Sequence, residues 1–306
     1  MLQLPLAKQA LDRSAELRSD EVALEELALE GFFYHFFQGS WLIEGDQIAS
    51  LTKSESESLI KNAERYFLGV DGDRRGYFLI HHFEAPESSL HPHLNFETLR
   101  SKVSLLSPLS IGLSMHGQGL ANWHATHRFC SRCGKETFSI LGGSVRSCSD
   151  DHHHYPRTDP AIITLIKDRS DRILLGHQAT WPEGRFSTIA GFVEPGESFE
   201  NALHREVLEE AGVPVAEFQY LGSQPWPFPS SVMIAFEAIT DQPELARPDG
   251  EEITEIRWFD REGLSGATKR GEILLPPPIS VARAMIDRWY GEVEGEPLST
   301  KDVWRS

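Results

Sequence analysis

The segment from Gly191 to Val213 constrains the fold of this chain more than any other, because it encodes a loop, a helix and a helix stop in order. Pro195-Gly196 favours a turn, and Ser198 is a residue type that caps the first turn of helices. Gly212 stands where a helix commonly ends in a left-handed conformation. The sequence therefore predicts a tight loop followed by a helix over 200–211.

The predicted helix carries a cluster of carboxylates. Glu206, Glu209 and Glu210 are three and four positions apart, so they share one face within a turn of each other. The same face begins apolar at Phe199, and such a stripe is normally buried. Carboxylates that point inward need a cation, and hard oxygen ligands suit Mg²⁺ or Mn²⁺ rather than zinc. Arg205 can neutralise and orient one of these carboxylates. The alternative to a metal site is that the three glutamates form a solvated acidic surface of the helix.

The complete spacing pattern argues against that alternative. It reads Gly, five residues, Glu, seven residues, Arg-Glu, an aliphatic residue, any residue, Glu-Glu, any residue, Gly and an aliphatic residue. From Gly191 to Val213 the chain resembles the Nudix box at every specified position. The resemblance implies an α/β fold, an α+β mixed-sheet sandwich, that hydrolyses a nucleoside diphosphate linked to another group. It also implies that Glu206, Glu209 and Glu210 bind divalent ions in the catalytic site beside Arg205.

A second segment, Ser223–Ser231, reads Ser-Gln-Pro-Trp-Pro-Phe-Pro-Ser-Ser. Its three prolines around Trp226 and Phe228 predict a stiff loop with aromatic faces, which could line a pocket for a flat ring or serve as a rigid connector. The segment is similar to the signature of the NADH pyrophosphatase branch of the Nudix proteins. That similarity extends from about Asn122 to the closing Pro276–Met285 region.

The resemblance to this branch implies further site residues. It implies that Phe192 stacks on adenine, that Ala190 offers a backbone carbonyl to the metal, and that Glu252 is a further metal ligand. The remaining residues implied to line the substrate site are Tyr155, Gln224, Pro225, Trp226, Pro227, Phe228, Pro229, Ser230, Ser231 and the backbone near Ala282.

The reaction that the branch implies is hydrolysis of NADH or NAD to reduced or oxidised nicotinamide mononucleotide and AMP, by a homodimer. The same chemistry would remove NAD caps from RNA 5′ ends. Two alternatives stay open: a Nudix hydrolase of ADP-ribose or dinucleoside polyphosphates, and a catalytically silent module that binds a nucleotide or a partner.

Three cysteines between the two halves of the chain have the spacing of a zinc ribbon. Cys130-x-x-Cys133 is followed by Cys148, and four such ligands would complete a tetrahedral site. Where the branch has its fourth cysteine, this chain has a run that contains His152 and His153, either of which can replace it. A zinc ion with four protein ligands would be structural, because no position is left open for water. The alternative is a degenerate, empty site.

Changes in pattern along the 306 residues predict four segments. Residues 1–125 form an N-terminal mixed α/β domain that opens with a helical stretch, Ala10–Leu29. Residues 126–156 are the zinc ribbon, residues 157–296 the Nudix domain and residues 297–306 a C-terminal tail.

Composition restricts partners and location. A formal net charge of −17 disfavours binding to an extended stretch of RNA or DNA. It still permits one nucleotide end to bind in a metal-lined pocket. An odd, small number of cysteines is not a disulfide framework, so a reducing compartment is expected. No apolar run approaches the roughly 20 residues that span a bilayer. A cytoplasmic protein without membrane contact is therefore predicted.

Overall fold

The computed structural model describes residues 2–9, 11–86, 93–291 and 297–298, which divide into two compact units. The N-terminal unit comprises Lys8–Thr158 together with Pro227–Ser230. The C-terminal unit comprises Met1–Ala7, Asp159–Trp226 and the chain from Ser231 onward. The predicted division into four segments stays a prediction, and residues 299–306 of the predicted tail lie outside the described residues.

A six-stranded sheet forms the core of the N-terminal unit. Its strands are β1 (Phe32–Phe37), β2 (Ser40–Glu44), β3 (Gln47–Ile48), β4 (Ala63–Val70), β5 (Gly76–His82) and β6 (Asn95–Thr98). The order is β3-β2-β1-β5-β4, with β6 on β2, and the pairing of β1 with β5 is parallel. The helices are α1 (Glu21–Leu29), α2 (Lys53–Glu57), α3 (Leu99–Lys102) and α4 (Pro108–Thr126). No helix in the described part of the chain is both long enough and apolar enough to cross a bilayer.

The first helix is shorter than the sequence predicted. The structure has a short 3-10 turn at Ala15–Leu17, and α1 begins only at Glu21. The reason is local, because the carboxylate of Asp20 accepts a hydrogen bond of 3.0 Å from the N–H of Ala23 and so caps the helix there. Ala10, where the predicted stretch began, lies outside the described residues.

A small three-stranded sheet follows α4 in the same unit. Its strands are β7 (Thr137–Ile140), β8 (Val145–Cys148) and β9 (His153–His154). A buried arginine of β8, Arg146, donates to Thr137 Oγ1 at 2.7 Å, to His124 Nδ1 at 2.7 Å and to Glu64 at 3.3 Å. Burial lowers the pKa of His124 to about 3, so its ring is neutral and can accept from Arg146. These contacts tie the small sheet to α4 and β4.

A second six-stranded mixed sheet forms the core of the C-terminal unit. Its strands are β10 (Asp159–Asp168), β11 (Ile173–Gln178), β12 (Ile189–Phe192), β13 (Glu217–Trp226), β14 (Ser231–Thr240) and β15 (Ile253–Phe259). The order is β13-β14-β10-β11-β15, with β12 on β10, and only the β10–β14 pairing is parallel. The helices are α5 (Phe199–Ala211), α6 (Arg261–Lys269) and α7 (Val281–Tyr290).

Helices cover both faces of this sheet. Alternate residues of β10 point to opposite faces, as the two-residue period of a strand requires. Ile162 and Ile166 pack into the core cluster that includes the apolar face of α5. Ile163 and Leu165 pack into the cluster that includes α6 and α7. The mixed α/β sandwich predicted from the sequence is confirmed.

Candidate functional site

The loop from β12 to α5 and the helix itself have the form that the sequence predicted. The hydroxyl of Ser198 accepts from Asn201 N at 3.2 Å and caps α5 at its first turn. Gly212 ends the helix in the left-handed region at φ 71°. Both ends of α5 are thus fixed by local interactions, which determine that the three glutamates lie on the helix.

Arg205 joins four groups of this site. Its Nε and one terminal nitrogen bind the two carboxylate oxygens of Glu197, each at 2.9 Å, in a bidentate pair. Its other terminal nitrogen donates to Glu206 at 2.8 Å and to Glu209 at 3.0 Å. A further hydrogen bond of 2.9 Å reaches the carbonyl of Phe192 in β12. The predicted orientation of one carboxylate is therefore only part of its role, since Arg205 fixes the loop and two helix carboxylates together.

The three helix carboxylates do not share one environment. Glu206 and Glu210 are buried, and Glu210 is 5% exposed, whereas the side chain of Glu209 is 58% exposed. Burial, followed by the charges of Glu206, Glu252 and Asp249, raises the pKa of Glu210 to about 8. Among the residues that the structure describes, no basic side chain forms an ion pair with Glu210.

Burial also raises the pKa of Glu206, although Arg205 opposes that shift. Two buried acids close enough to repel each other are costly unless a cation joins them. Oxygen ligands of this kind fit a hard divalent ion. The residues that could hold it are Glu206, Glu209, Glu210, Glu252 and the carbonyl of Ala190, whose N–H already donates to Glu210.

Gly191 leaves the space that Glu206 occupies. A Cβ atom at position 191 would lie well inside van der Waals contact of the carboxylate of Glu206. The glycine of the box is therefore required by close approach, and its backbone has no left-handed conformation here. The sequence pattern specified this glycine and Glu197, but it gave neither residue a role. Asp249 was missed, because nothing in its surrounding sequence signals that it lies near Glu210.

The predicted substrate residues fall into two environments. Phe192 is 61% exposed at the end of β12, where a flat ring can reach it. Gln224 is fully buried, its amide oxygen accepts from Leu6 N at 2.9 Å, and its amide nitrogen donates to Ile279 O at 3.0 Å. Its side-chain amide is thus hydrogen-bonded within the protein, and its place in the substrate site stays a prediction.

The remaining predicted substrate residues are divided between the two units. In the C-terminal unit, Pro225 and Trp226 are half-buried at the end of β13, and Ser231 begins β14. The side chain of Ala282, in the first turn of α7, is buried in the core. In the N-terminal unit, Tyr155 and Pro229 are exposed, Pro227 is buried, and Phe228 and Ser230 are half-buried.

The cysteine cluster forms a tight group. The ligand atoms of Cys130, Cys133, Cys148 and His152 all lie within 4.8 Å of one another. The sulfur atoms of Cys133 and Cys148 are 3.7 Å apart, and Cys130 Sγ is 3.5 Å from His152 Nδ1. A tetrahedral zinc ion would require about 3.8 Å and about 3.6 Å for these two separations. These two separations therefore match a tetrahedral zinc site, and all the others are within 4.8 Å.

The geometry favours His152 over His153 as the fourth ligand. His153 is exposed and its ring contacts Asp151 at 3.1 Å. A third histidine, His154, was given no role from the sequence, yet its Nε2 lies 3.2 Å from Cys130 Sγ. Burial opposes ionisation of Cys130, but the N–H groups of Arg132 and Cys133 and the ring of His154 outweigh it and lower the pKa of this thiol. Such contacts outside the ligand set orient and tune a metal site.

Alanine substitutions will decide between the two histidines. We expect His152→Ala to weaken zinc retention by roughly 10²-fold or more, because one of four ligands is lost. His153→Ala should retain zinc like the unsubstituted protein. The measurement is zinc release to a chromogenic chelator, with metal content determined beforehand. Loss of zinc from His153→Ala alone would show that the assignment of His152 is wrong, and an unsubstituted protein without zinc would show an empty site.

Comparison with known families agrees with this geometry. The family described as NUDIX domain matches residues 157–276, and the family described as NADH pyrophosphatase zinc ribbon domain matches residues 125–155. The chain is 30% identical over 311 residues to the "NAD(P)H pyrophosphatase NUDT13, mitochondrial" of Mus musculus, covering 90% of this chain and 88% of that relative. The chain belongs to the Nudix family. Within that family, the matched ribbon identifies it with the NADH pyrophosphatase branch, as the resemblance predicted.

Bacterial relatives are more similar to this Nudix chain over a shorter part of it. The chain is 42% identical over 201 residues to the "NAD-capped RNA hydrolase NudC" of Mycobacterium bovis, covering 62% of this chain and 64% of that relative. It is 40% identical over 179 residues to a protein of the same description from Pseudomonas syringae, covering 58% and 61%. The chain thus spans somewhat under two thirds of the length of these relatives. A solved Nudix hydrolase from Nitrosomonas europaea is 24% identical, with a TM-score of 0.43, covering 56% of this chain and 94% of that one.

Proposed function

We propose that this Nudix chain hydrolyses the diphosphate bond of NADH or NAD and releases AMP and reduced or oxidised nicotinamide mononucleotide. The observation that carries the proposal is the buried pair Glu206 and Glu210, of which Glu210 has no basic partner among the described residues. The name of the mouse relative, an NAD(P)H pyrophosphatase, supports the choice of dinucleotide.

The proposed metal is Mg²⁺ or Mn²⁺, held by Glu206, Glu209, Glu210, Glu252 and the carbonyl of Ala190. When bound, such an ion neutralises phosphate charge and makes a water molecule more acidic. A water oxygen bonds to phosphorus, the bridging P–O bond breaks, and the proton of water is taken up by a base. Arg205 keeps Glu206 and Glu209 in place through its bidentate pair with Glu197. Phe192, exposed beside this cluster, offers its ring to adenine.

A second candidate substrate is the NAD-capped 5′ end of RNA. The similarity to proteins described as NAD-capped RNA hydrolases favours it, and the bond broken would be the same. A net charge of −17 disfavours contact with an extended stretch of RNA. Only the cap and the nucleotides next to it are therefore expected to contribute to binding. A homodimer is proposed on the same family resemblance, and the mass of the protein in solution tests it. The cytoplasmic location stays a prediction.

The test compares substrates on the unsubstituted protein. NADH, NAD, ADP-ribose, a diadenosine polyphosphate and a short NAD-capped RNA are each incubated with Mg²⁺ or Mn²⁺, and the products are separated by chromatography. We expect AMP and nicotinamide mononucleotide in equal amounts, and no products once a chelator is added. Faster hydrolysis of ADP-ribose or the diadenosine compound would replace the proposed substrate. A protein that binds NADH but hydrolyses none of these compounds would be the silent module.

A further inference from the structure

The turn that precedes β15 is closed by the side chain of Asp249. Its Oδ1 accepts hydrogen bonds from the backbone N–H groups of Glu251 and Ile253, each at 2.9 Å. Gly250 lies between them in the left-handed region at φ 82°, and its N–H donates to Ile253 O at 3.0 Å. One carboxylate oxygen thus binds the residues on both sides of Glu252.

Both ends of this turn are anchored within the C-terminal unit. Before the turn, the N–H of Arg247 donates at 3.0 Å to the carbonyl of Ala211, the residue that follows Glu210 in α5. After the turn, Ile253 pairs with Gln178 of β11 and is buried in the core cluster that includes the apolar face of α5. The residues between these anchors, 248–252, are exposed or half-buried, so local hydrogen bonds must fix their conformation.

The conformation of the turn sets where Glu252 points. The carbonyl of Glu252 accepts from Ala179 N at 3.0 Å, so its backbone is held by the turn on one side and by this contact on the other. Burial raises the pKa of both Glu206 and Glu210, and the charge of Glu252 adds to the rise in each. Its carboxylate therefore faces two others that repel it. An exposed side chain would turn away from such neighbours unless its backbone directed it towards them.

We propose that Asp249 is a positioning residue for the divalent-ion site, because it holds the turn that presents Glu252 to the buried pair Glu206 and Glu210. It acts through the backbone, so the site needs its acceptor oxygen more than its negative charge. The proposal rests on the proposed function, since the ion is the one that would serve hydrolysis. It adds a residue that no motif in the sequence signals.

A pair of substitutions at position 249 separates the acceptor from the charge. Asp249→Asn keeps the shape and one acceptor oxygen, and asparagine forms the same turn, whereas Asp249→Ala removes the acceptor as well. The measurement is calorimetric titration with Mn²⁺ in the absence of substrate. We expect about tenfold weaker binding in Asp249→Ala and binding within about threefold of the unsubstituted protein in Asp249→Asn.

Glu251→Ala is the matched control, because Glu251 is exposed in the same turn and its substitution removes one negative charge but leaves the backbone N–H in place. It should bind Mn²⁺ within about threefold of the unsubstituted protein. Equal weakening in Asp249→Asn and Asp249→Ala would show that the residue acts by its charge, and normal binding in Asp249→Ala would show that the turn does not matter. Either result overturns the positioning role.

Hydrogen exchange gives a second measurement, made without metal or substrate. The amides of Glu251 and Ile253 are expected to exchange faster in Asp249→Ala and at the normal rate in Asp249→Asn, and unchanged exchange in Asp249→Ala would contradict the proposal. If Asp249→Ala does not fold, Asp249→Ser replaces it, since a serine hydroxyl forms the same turn more weakly and should give an intermediate loss. An unsubstituted protein that binds Mn²⁺ but does not hydrolyse NADH would refute the proposed function and leave these binding measurements valid.

Discussion

Replacement of Glu210 by glutamine is expected to lower kcat for NADH roughly 10²- to 10³-fold and to stabilise the metal-free protein. The loss in rate follows because a bound metal ion lowers the activation barrier by several kcal/mol, and loss of a buried ligand removes much of that effect. Each 1.36 kcal/mol in the barrier changes the rate about tenfold. The gain in stability follows because glutamine removes a buried acid that repels Glu206, Glu252 and Asp249. Steady-state kinetics and thermal unfolding after chelation measure the two effects.

The raised pKa of Glu210 makes the stability of the metal-free protein depend on pH, and this dependence shows why Glu210→Gln should be stabilising. The pKa of Glu210 is raised from 4.5 to about 8 in the folded protein, so the folded state binds a proton that the unfolded state has lost between these values. Its contribution to the stability of the metal-free protein is fully present below pH 4.5 and is lost as the pH rises through about 8. At pH 7 the free energy of unfolding should be up to about 3 kcal/mol higher in Glu210→Gln.

Glu200→Gln is the matched control for this substitution, because Glu200 is exposed in the first turn of the same helix. It should keep the activity and pH dependence of the unsubstituted protein. Addition of Mg²⁺ or Mn²⁺ should raise the melting temperature of the unsubstituted protein but not that of Glu210→Gln. Activity within a few-fold of normal in Glu210→Gln would show that this carboxylate is not a metal ligand.

Gly191→Ala is expected to lower kcat/KM roughly 10²-fold, since the new methyl group would occupy the position of the Glu206 carboxylate. Movement of Glu206 also disturbs Arg205, which holds it at 2.8 Å. The change should be measured beside Gly72→Ala, because the space around Gly72 is open and its backbone is not left-handed. Gly72→Ala should have normal kinetics.

A double-mutant cycle separates displacement of Glu206 from a general loss of packing. In a Glu206→Ala background the added methyl group meets no carboxylate, so Gly191→Ala should cost little further activity. An equal loss in both backgrounds would show that the glycine acts through some other contact.

The helix of the site could be predicted from the sequence because its determinants are local. Ser198, Gly212 and the spacing of the three glutamates specify the ends of α5 and its acidic face within one short segment. The sandwich fold followed from the box. The resemblance also implied Phe192 and Glu252, although their roles stay predictions.

Other assignments depended on residues far apart in the chain. Gln224 reads as a substrate residue from its motif, yet burial beside Leu6 and Ile279 satisfies its amide within the protein. His152 and His153 are equivalent in sequence, and only the turn that brings His152 to Cys130 favours one of them.

The sequence by itself determined the family, the position of the acidic helix and the ligand types available for two metal sites. Tertiary structure decided which of those groups are buried and what they face. Glu210 has no basic partner among the described residues, Glu209 is largely exposed beside Arg205, and Asn122 lies against the carbonyls of a proline-rich segment. The physical reason is that capping and side-chain spacing act within a turn of the chain. Burial and charge repulsion depend instead on segments that meet only after folding.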